Sequence, residues 1–404
     1  MPSKENSIYL LGQLSFTGSI FLFNIVTAFF LSPEKMGLWQ TIVLISTYSL
    51  FFQAGVINGL GREIPFYRGN NNQKQLQEVI ASATQYVSLL LGLFCVSAVI
   101  LYFSHAQSLI FFILALAIAK IINNLSVVLL RSYQDFSKLG IHQLISAVTL
   151  FLGMYLLYKN NSLENVVIGM TLALLLPTSL AFPYILFKKT RSASTFKLMK
   201  IGLPIYAAGL LFSLMSSIDR WIILYFLNTE SLGLYTLAVI ALGIIMLVPT
   251  LVSNLMYPKL AYAYGVNRSI SDLFPIVKKL LIINVSLTIT VSTLSFLLLY
   301  FFIIPSFLPE YLLGRDAMSI VFLTGIILPV GQSFGDLFNV IDYQKYYLKN
   351  MALGFIVNLV IGAYLVGGLQ LGLTGIAIGT LSGLSIFSIA QYITYKKLLF
   401  EHKT

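Results

Sequence analysis

The sequence predicts an all-α polytopic membrane protein with about twelve transmembrane helices in two parallel six-helix bundles. Three observations carry this expectation. Hydrophobic residues make up 58% of the 404 and charged residues only 10%. Twelve segments are long and apolar enough to span a bilayer. Short motifs in the first half return in the second. A soluble domain carries about 25% charged residues, so this composition cannot cover itself with a solvated surface.

The expected spans are 8–31, 36–58, 79–103, 108–130, 139–158, 165–187, 202–227, 232–256, 280–304, 317–338, 351–369 and 373–395. Each reaches or approaches the roughly 20 residues that cross ~30 Å of hydrocarbon. Backbone groups inside lipid must bond within their own segment, which makes these segments helices. The first run is too long for a signal-peptide core and reads as a span. Cys95, the one cysteine, falls inside the third span, so no intrachain disulfide forms.

Lysine and arginine set the orientation. With the N-terminus inside, 20 of the 25 fall in inner loops and tails. Only Lys35, Lys159 and Arg315 fall outside, and Lys120 and Arg220 lie within spans. This asymmetry places both termini in the cytoplasm. It also accounts for most of the net charge of +11, so nucleic acid is not needed as a partner.

The repeat is read from motifs. "FFLSPEKMGLW" at 29–39 returns as "YFLNTESLGLY" at 225–235, pairing Glu34 with Glu230, Gly37 with Gly233 and Trp39 with Tyr235. Gly69 and Gly265 close equivalent inner loops; Tyr133–Gln134 returns at Tyr343–Gln344, and "GMYL" at 153–156 as "GAYL" at 362–365. Order rather than any single match makes the repeat. Six spans return the chain to its starting side, so both halves have one orientation. The expected domains are 1–187, a cytoplasmic linker at 188–201, and 202–404 with a short cytoplasmic tail.

Several chemistries lack their motifs. No phosphate-loop motif occurs, and His105, His142 and His402 have no metal-ligand spacing. Neither a Ser/His/Asp nor a Cys/His set is suggested, and outer loops are short. The expectation is a protein that is not an enzyme and carries no cofactor or metal.

Only Lys120, Asp219, Arg220 and Asp336 are charged residues inside the spans. A charge at mid-bilayer costs ~2.5–3.5 kcal/mol on the insertion scale, so each should face a cavity or a partner. Lys120, Asn123, Asn124 and Arg131 share one stripe of span four. Their cations and amides suit a pyrophosphate and sugar hydroxyls. The plainer reading pairs Lys120 with a carboxylate on another helix and makes Arg131 a positive-inside anchor. Asp219 and Arg220 form a gating or structural ion pair, or Arg220 binds anionic cargo. Asp336, on a face with Gln332, Ser333 and Asn339, carries a coupling proton, pairs with Lys120 or Arg131, or anchors at the interface. In span one, Gln13, Thr17 and Asn24 line a cavity or join helices. Pro177, Pro204, Pro249 and Pro329 are candidate bending points.

Three stretches carry a family resemblance: "GREIPFYRGNNNQKQLQEVI" after span two, "DRWIILYFLNTESLGLYTLA" at spans seven to eight, and "LVSNLMYPKLAYAYG" at the end of span eight. With the repeat they resemble the polysaccharide flippases of the MOP superfamily, the Wzx-type O-antigen transporters. The resemblance implies a MATE-like, V-shaped pair of bundles working by alternating access in a bacterial inner membrane. It implies a cargo of oligosaccharide on undecaprenyl pyrophosphate, moved from the inner to the outer leaflet, with membrane lipid and glycan polymerase machinery as partners. The alternative on the same fold is a MATE-type cation or multidrug exporter. That cargo would favour carboxylates, whereas the deepest charge here is a lysine.

The charge asymmetry generates a topological prediction. Reporters active only outside the cytoplasm, fused after Lys200 or after Thr404, should stay silent. A strong external signal from either would break the two-bundle arrangement.

Overall fold

Apolar segments without access to water close their hydrogen bonds locally, and every regular element among the described residues is helical. The computed structural model describes residues 4–105, 107–186, 192–267, 269–341 and 343–401. Lys188, Lys189, Arg191, Arg268, His402, Lys403 and Thr404 lie outside these residues. The chain forms two units, one of Met1–Leu31 with Leu38–Leu210 and one of Ser32–Gly37 with Leu211–Thr404.

The first unit contains α1 (Lys4–Phe30), most of α2 (Pro33–Tyr48), α3 (Val56–Gly69), α4 (Gln73–Phe103), α5 (Ser108–Ser132), α6 (Phe136–Lys159), α7 (Leu163–Leu175) and the larger part of α8 (Ser192–Met215). Helix α8 starts inside the stretch expected as linker. The second unit continues with α9 (Ile218–Phe226), α10 (Thr229–Leu234), α11 (Thr236–Asn267), α12 (Phe274–Leu298), α13 (Ile304–Phe307), α14 (Arg315–Phe322), α15 (Thr324–Val340), α16 (Gln344–Ala363) and α17 (Gly372–Glu401). Ten described helices are long and apolar enough to cross a membrane, or twelve when two bent pairs each count as one span. The expected number is met on that count.

Local sequence starts the helices. Asn72, Asp135, Ser162 and Asn228 each accept a hydrogen bond from a backbone N–H three residues on, satisfying a donor the first turn leaves open. Leu89, Leu93, Val96 and Ile100 are exposed along one stripe of α4, which reads as its lipid-facing side. Cys95 is exposed on the same helix. The opposite face of α4 joins a core with Ile57, Leu60 and Ile64 of α3, Ile121 and Leu125 of α5, and Leu198 of α8. In the second unit the corresponding core gathers Leu280, Phe334, Leu337, Phe338 and Leu398.

Three interruptions shape the helices. The pair Pro33–Gln53 and Val56–Gly69 bends by 55° at Ala54 and Gly55, both left-handed (φ 48° and 78°). No proline causes this bend, and the expected uniform span 36–58 is instead two helices. The pair Pro309–Phe322 and Thr324–Val340 bends by 42°. The break falls at Leu323, six residues before Pro329, which lies inside α15. Between α8 and α9, Ser216 and Ser217 form a turn.

At the loop end of α6, Asp135 receives Tyr184 Oη at 2.6 Å and lies 3.0 Å from Lys138 Nζ. Burial pushes the Asp135 carboxyl up, but the bonds from Tyr184 and from the Lys138 backbone and ammonium outweigh it and hold it below its ordinary value.

The repeated hairpins meet each other within the second unit. A Cβ on Gly37 would overlap the carbonyl of Thr229, and one on Gly233 would overlap the carbonyl of Pro33. Gly37→Val and Gly233→Val should therefore each destabilise the protein by about 1–3 kcal/mol or more, read as a lowered unfolding temperature in detergent. Wild-type unfolding in both variants would show that these approaches are looser than the geometry requires.

Candidate functional site

The first unit holds a polar cluster at the bend after α2. Lys120, midway along α5, donates from Nζ to Val43 O at 3.0 Å, Ser46 Oγ at 2.9 Å and Thr47 Oγ1 at 2.7 Å. One turn on, Asn124 Nδ2 donates to Gln53 Oε1 at 2.7 Å. Gln53 is 2% exposed, and it immediately precedes Ala54 and Gly55. Its Nε2 and the Oδ1 of Asn123 are buried without a hydrogen-bond partner among the described residues. The cluster thus presents an ammonium, an open amide donor and an open amide acceptor. These are the groups that recognise phosphate and sugar hydroxyls. Arg131, the fourth member of the stripe, is exposed at the end of α5.

The other span-one candidates bond within or between helices. Gln143 Nε2 of α6 donates to Gln13 Oε1 at 2.6 Å, Thr17 Oγ1 to Gln13 O, and Asn24 Nδ2 to Ile20 O. Gln13 joins α1 to α6, the simpler of its two sequence readings.

In the second unit, Asp219 and Arg220 follow the α8–α9 turn. Asp219 is buried, and its Oδ1 accepts the Arg220 backbone N–H at 2.8 Å and lies 3.7 Å from Arg220 Nε. Tyr235 also hydrogen-bonds Asp219, and its hydroxyl lies 3.5 Å from Thr380 Oγ1. Arg220 Nη2 donates to Ser216 O at 3.0 Å. Phe212, Met215, Ser216, Met246 and Thr380 line a small cavity beside this turn. Asp336, buried on α15, accepts Ser253 Oγ of α11 at 2.6 Å. One turn earlier, Asn284 Nδ2 bonds Ser333 Oγ and Pro329 O. The hydrogen bond on Asp336 comes from Ser253, and those of Lys120 go to α2.

Sequence reasoning missed Ser46, Thr47, Gln53, Gln143, Ser253 and Tyr235. Their signal was weak: uncharged side chains inside spans, each partnered far along the chain. Among the described residues, no group of three or more His, Cys, Asp or Glu side chains is placed to hold a metal ion.

No protein-family model matches the chain, and no curated protein sequence does. Solved structures do. The chain is similar to an inward-facing multidrug resistance MATE family transporter of the MOP superfamily, with TM-score 0.72 and 14% identity over 97% of this chain and 98% of that one. It is similar to the lipid II flippase MurJ in an inward closed conformation, with TM-score 0.74 and 14% identity over 96% and 87%. A MOP superfamily transporter from Pyrococcus furiosus, described as having a binding pocket of reverse polarity, aligns with TM-score 0.63 and 13% identity over 99% and 97%. The chain has the MATE-like fold of MOP-superfamily membrane transporters.

Lys120 can be tested for a structural role alone. Ser46 Oγ and Thr47 Oγ1 also donate to Val43 O, so both hydroxyls keep a partner without the ammonium. The hydroxyls and the Val43 carbonyl stay bonded to each other, so losing the lysine leaves none of these groups unpaired, and removing the charge relieves ~2.5–3.5 kcal/mol. Lys120→Met should therefore accumulate in the membrane at the wild-type level, with an unfolding temperature within a few degrees. Loss of the protein from the membrane would make Lys120 a structural staple.

Proposed function

We propose that this protein is a flippase that carries an undecaprenyl-pyrophosphate-linked oligosaccharide from the inner to the outer leaflet of a bacterial cytoplasmic membrane by alternating access. The observation that carries the reading is the cluster of Lys120, Asn123, Asn124 and Gln53, with its ammonium and its open amide donor and acceptor inside the bilayer-spanning region. An anionic head group gains from the ammonium. Sugar hydroxyls supply both a donor for Asn123 and an acceptor for Gln53. The motif resemblance and the likeness to MurJ support the same class of cargo, while the fold itself is shared with MATE transporters. Arg131 receives the head group at the cytoplasmic entrance. Gln13, Asn24 and Arg220 are further cargo contacts in this reading, while Asp219 and Asp336 gate or couple transport. The lipid tail stays in the bilayer.

Buried Asp219 and Asp336 favour one second reading, a MATE-type exporter of cationic cargo. Transport distinguishes the two. With Lys120→Met, flipping of the lipid-linked glycan should fall at least tenfold at native protein level; Lys120→Arg should keep part of it, since charge persists while geometry changes. Normal flipping by Lys120→Met would end the anionic-cargo mechanism, and cation efflux with no flipping would favour the exporter.

Energetics give a second test. One charge crossing the membrane is worth ~2.3 kcal/mol per 100 mV. Outward movement of a doubly negative pyrophosphate without counter-charge is favoured by ~4.6 kcal/mol at 100 mV, inside negative. Collapsing the potential in vesicles at constant pH gradient should slow export. An unchanged rate would mean electroneutral exchange.

A further inference from the structure

The second unit contains a cleft away from the polar groups discussed so far. It lies between α12 and the bent pair α14–α15 and has a volume of about 170 Å³. Phe296, Phe322 and Ile326 form apolar walls, and Ser292, Thr293 and Ser319 add hydroxyls. Ile326 is 53% exposed, so the cleft opens on the side of the helices that lipid covers.

Its construction follows from local sequence. The 42° bend parts α14 from α15 and leaves a wedge against α12. Gly325 and Ser292 meet at the floor, where a Cβ on the glycine would stand 2.7 Å from Ser292 Oγ. Ser292 is 6% exposed and its Oγ has no hydrogen-bond partner among the described residues. Along α12 the helix widens into a π-helical turn at Leu299–Ile303; such turns are frequent at functional sites.

Tyr300 lies in that turn and Arg315 at the start of α14. The Arg315 guanidinium stacks over the Tyr300 ring at 3.4 Å. Phe296 packs on both Tyr300 and Phe322, with ring centroids 5.1 and 5.6 Å apart. Arg315 Nε has no hydrogen-bond partner among the described residues. Glu310 and Asp316 are exposed nearby in sequence, and neither forms an ion pair with Arg315 among the described residues. A cation held by an aromatic ring thus stands at the outer end of an apolar cleft. Tyr300 and Ser292 are eight residues apart, or ~12 Å along the helix at 1.5 Å per residue. That length admits a glycerol backbone and the first methylenes of an acyl chain.

We propose that this cleft binds one phospholipid with an anionic head group from the outer leaflet. Arg315 takes the phosphate with the donors that Tyr300 leaves free. Ser319, one turn below Arg315, lies at the depth of the ester groups. An ester carbonyl sunk further would satisfy Ser292 Oγ, and the acyl chain runs past Phe296, Phe322 and Ile326. The leaflet follows from the lysine and arginine asymmetry, which puts the 305–316 loop outside. The site is independent of the cargo reading, since it uses none of the residues assigned to cargo.

The test uses the full chain in detergent with phosphatidylglycerol or phosphatidylethanolamine of matched chains, read by native mass spectrometry. Wild type should retain one lipid and prefer phosphatidylglycerol at least fivefold. Arg315→Gln should abolish that preference while keeping phosphatidylethanolamine, and Ser319→Phe should fill the cleft and lose both lipids. If Ser319→Phe does not accumulate, Arg315→Gln, at the outer end of the cleft, carries the test alone. Undiminished preference in Arg315→Gln, or undiminished retention in a folded Ser319→Phe, would overturn the proposal. So would stronger retention of a polyprenyl phosphate than of phosphatidylglycerol at this cleft, which would make it a tail site for cargo.

Discussion

The satisfaction of backbone carbonyls where helices break is the constraint on which the rest depends. In hydrocarbon an open carbonyl has no water to bond, and the cost is several kcal/mol per group. Three interruptions among the described residues each carry a side-chain donor. At the bend after α2, Tyr86 donates to Phe52 O at 2.7 Å. At the α8–α9 turn, Arg220 donates to Ser216 O and Ser217 to Ser213 O. At the break between α14 and α15, Thr324 Oγ1 donates to Val321 O at 2.7 Å.

Both intramembrane cations donate to backbone carbonyls, Arg220 at the α8–α9 turn and Lys120 within α2, so neither is there for charge alone. A donor held in this way reaches any other ligand only by giving up one of these bonds. Neutral amides could satisfy the carbonyls more cheaply, given the ~2.5–3.5 kcal/mol insertion cost of a charge. Arg220 has its counter-charge beside it in Asp219.

The fold was legible in the sequence because hydropathy and charge bias act along the chain. Span number and class follow from runs of apolar residues alone. The interruptions were less legible. Ala54–Gly55 sits in an apolar stretch whose hydropathy is smooth, and Ala gives no warning of a left-handed conformation. The break at Leu323 was equally hidden, since it lies in an apolar run six residues before Pro329. The lysine and amide stripe on α5 was legible as a stripe, but its partners were not. Val43, Ser46 and Thr47 lie 73–77 residues from Lys120, and only packing brings such neutral groups together. Ser253 was hidden from Asp336 for the same reason.

The repeated hairpin has a physical explanation in the same packing. Gly37 approaches the carbonyl of Thr229, and Gly233 approaches the carbonyl of Pro33. Thr229 and Pro33 are themselves equivalent, each 196 residues from the other, as are the two glycines. The contact is reciprocal, which is the mark of an isologous, two-fold arrangement. In such a contact each surface must fit its own equivalent, so a change in one hairpin is met by the other. A side chain at either glycine would push its backbone off the opposite carbonyl. The two positions are thus bound to one solution, and the hairpins hold glycine there while the flanking residues, such as Lys35 and Ser231, are free to differ.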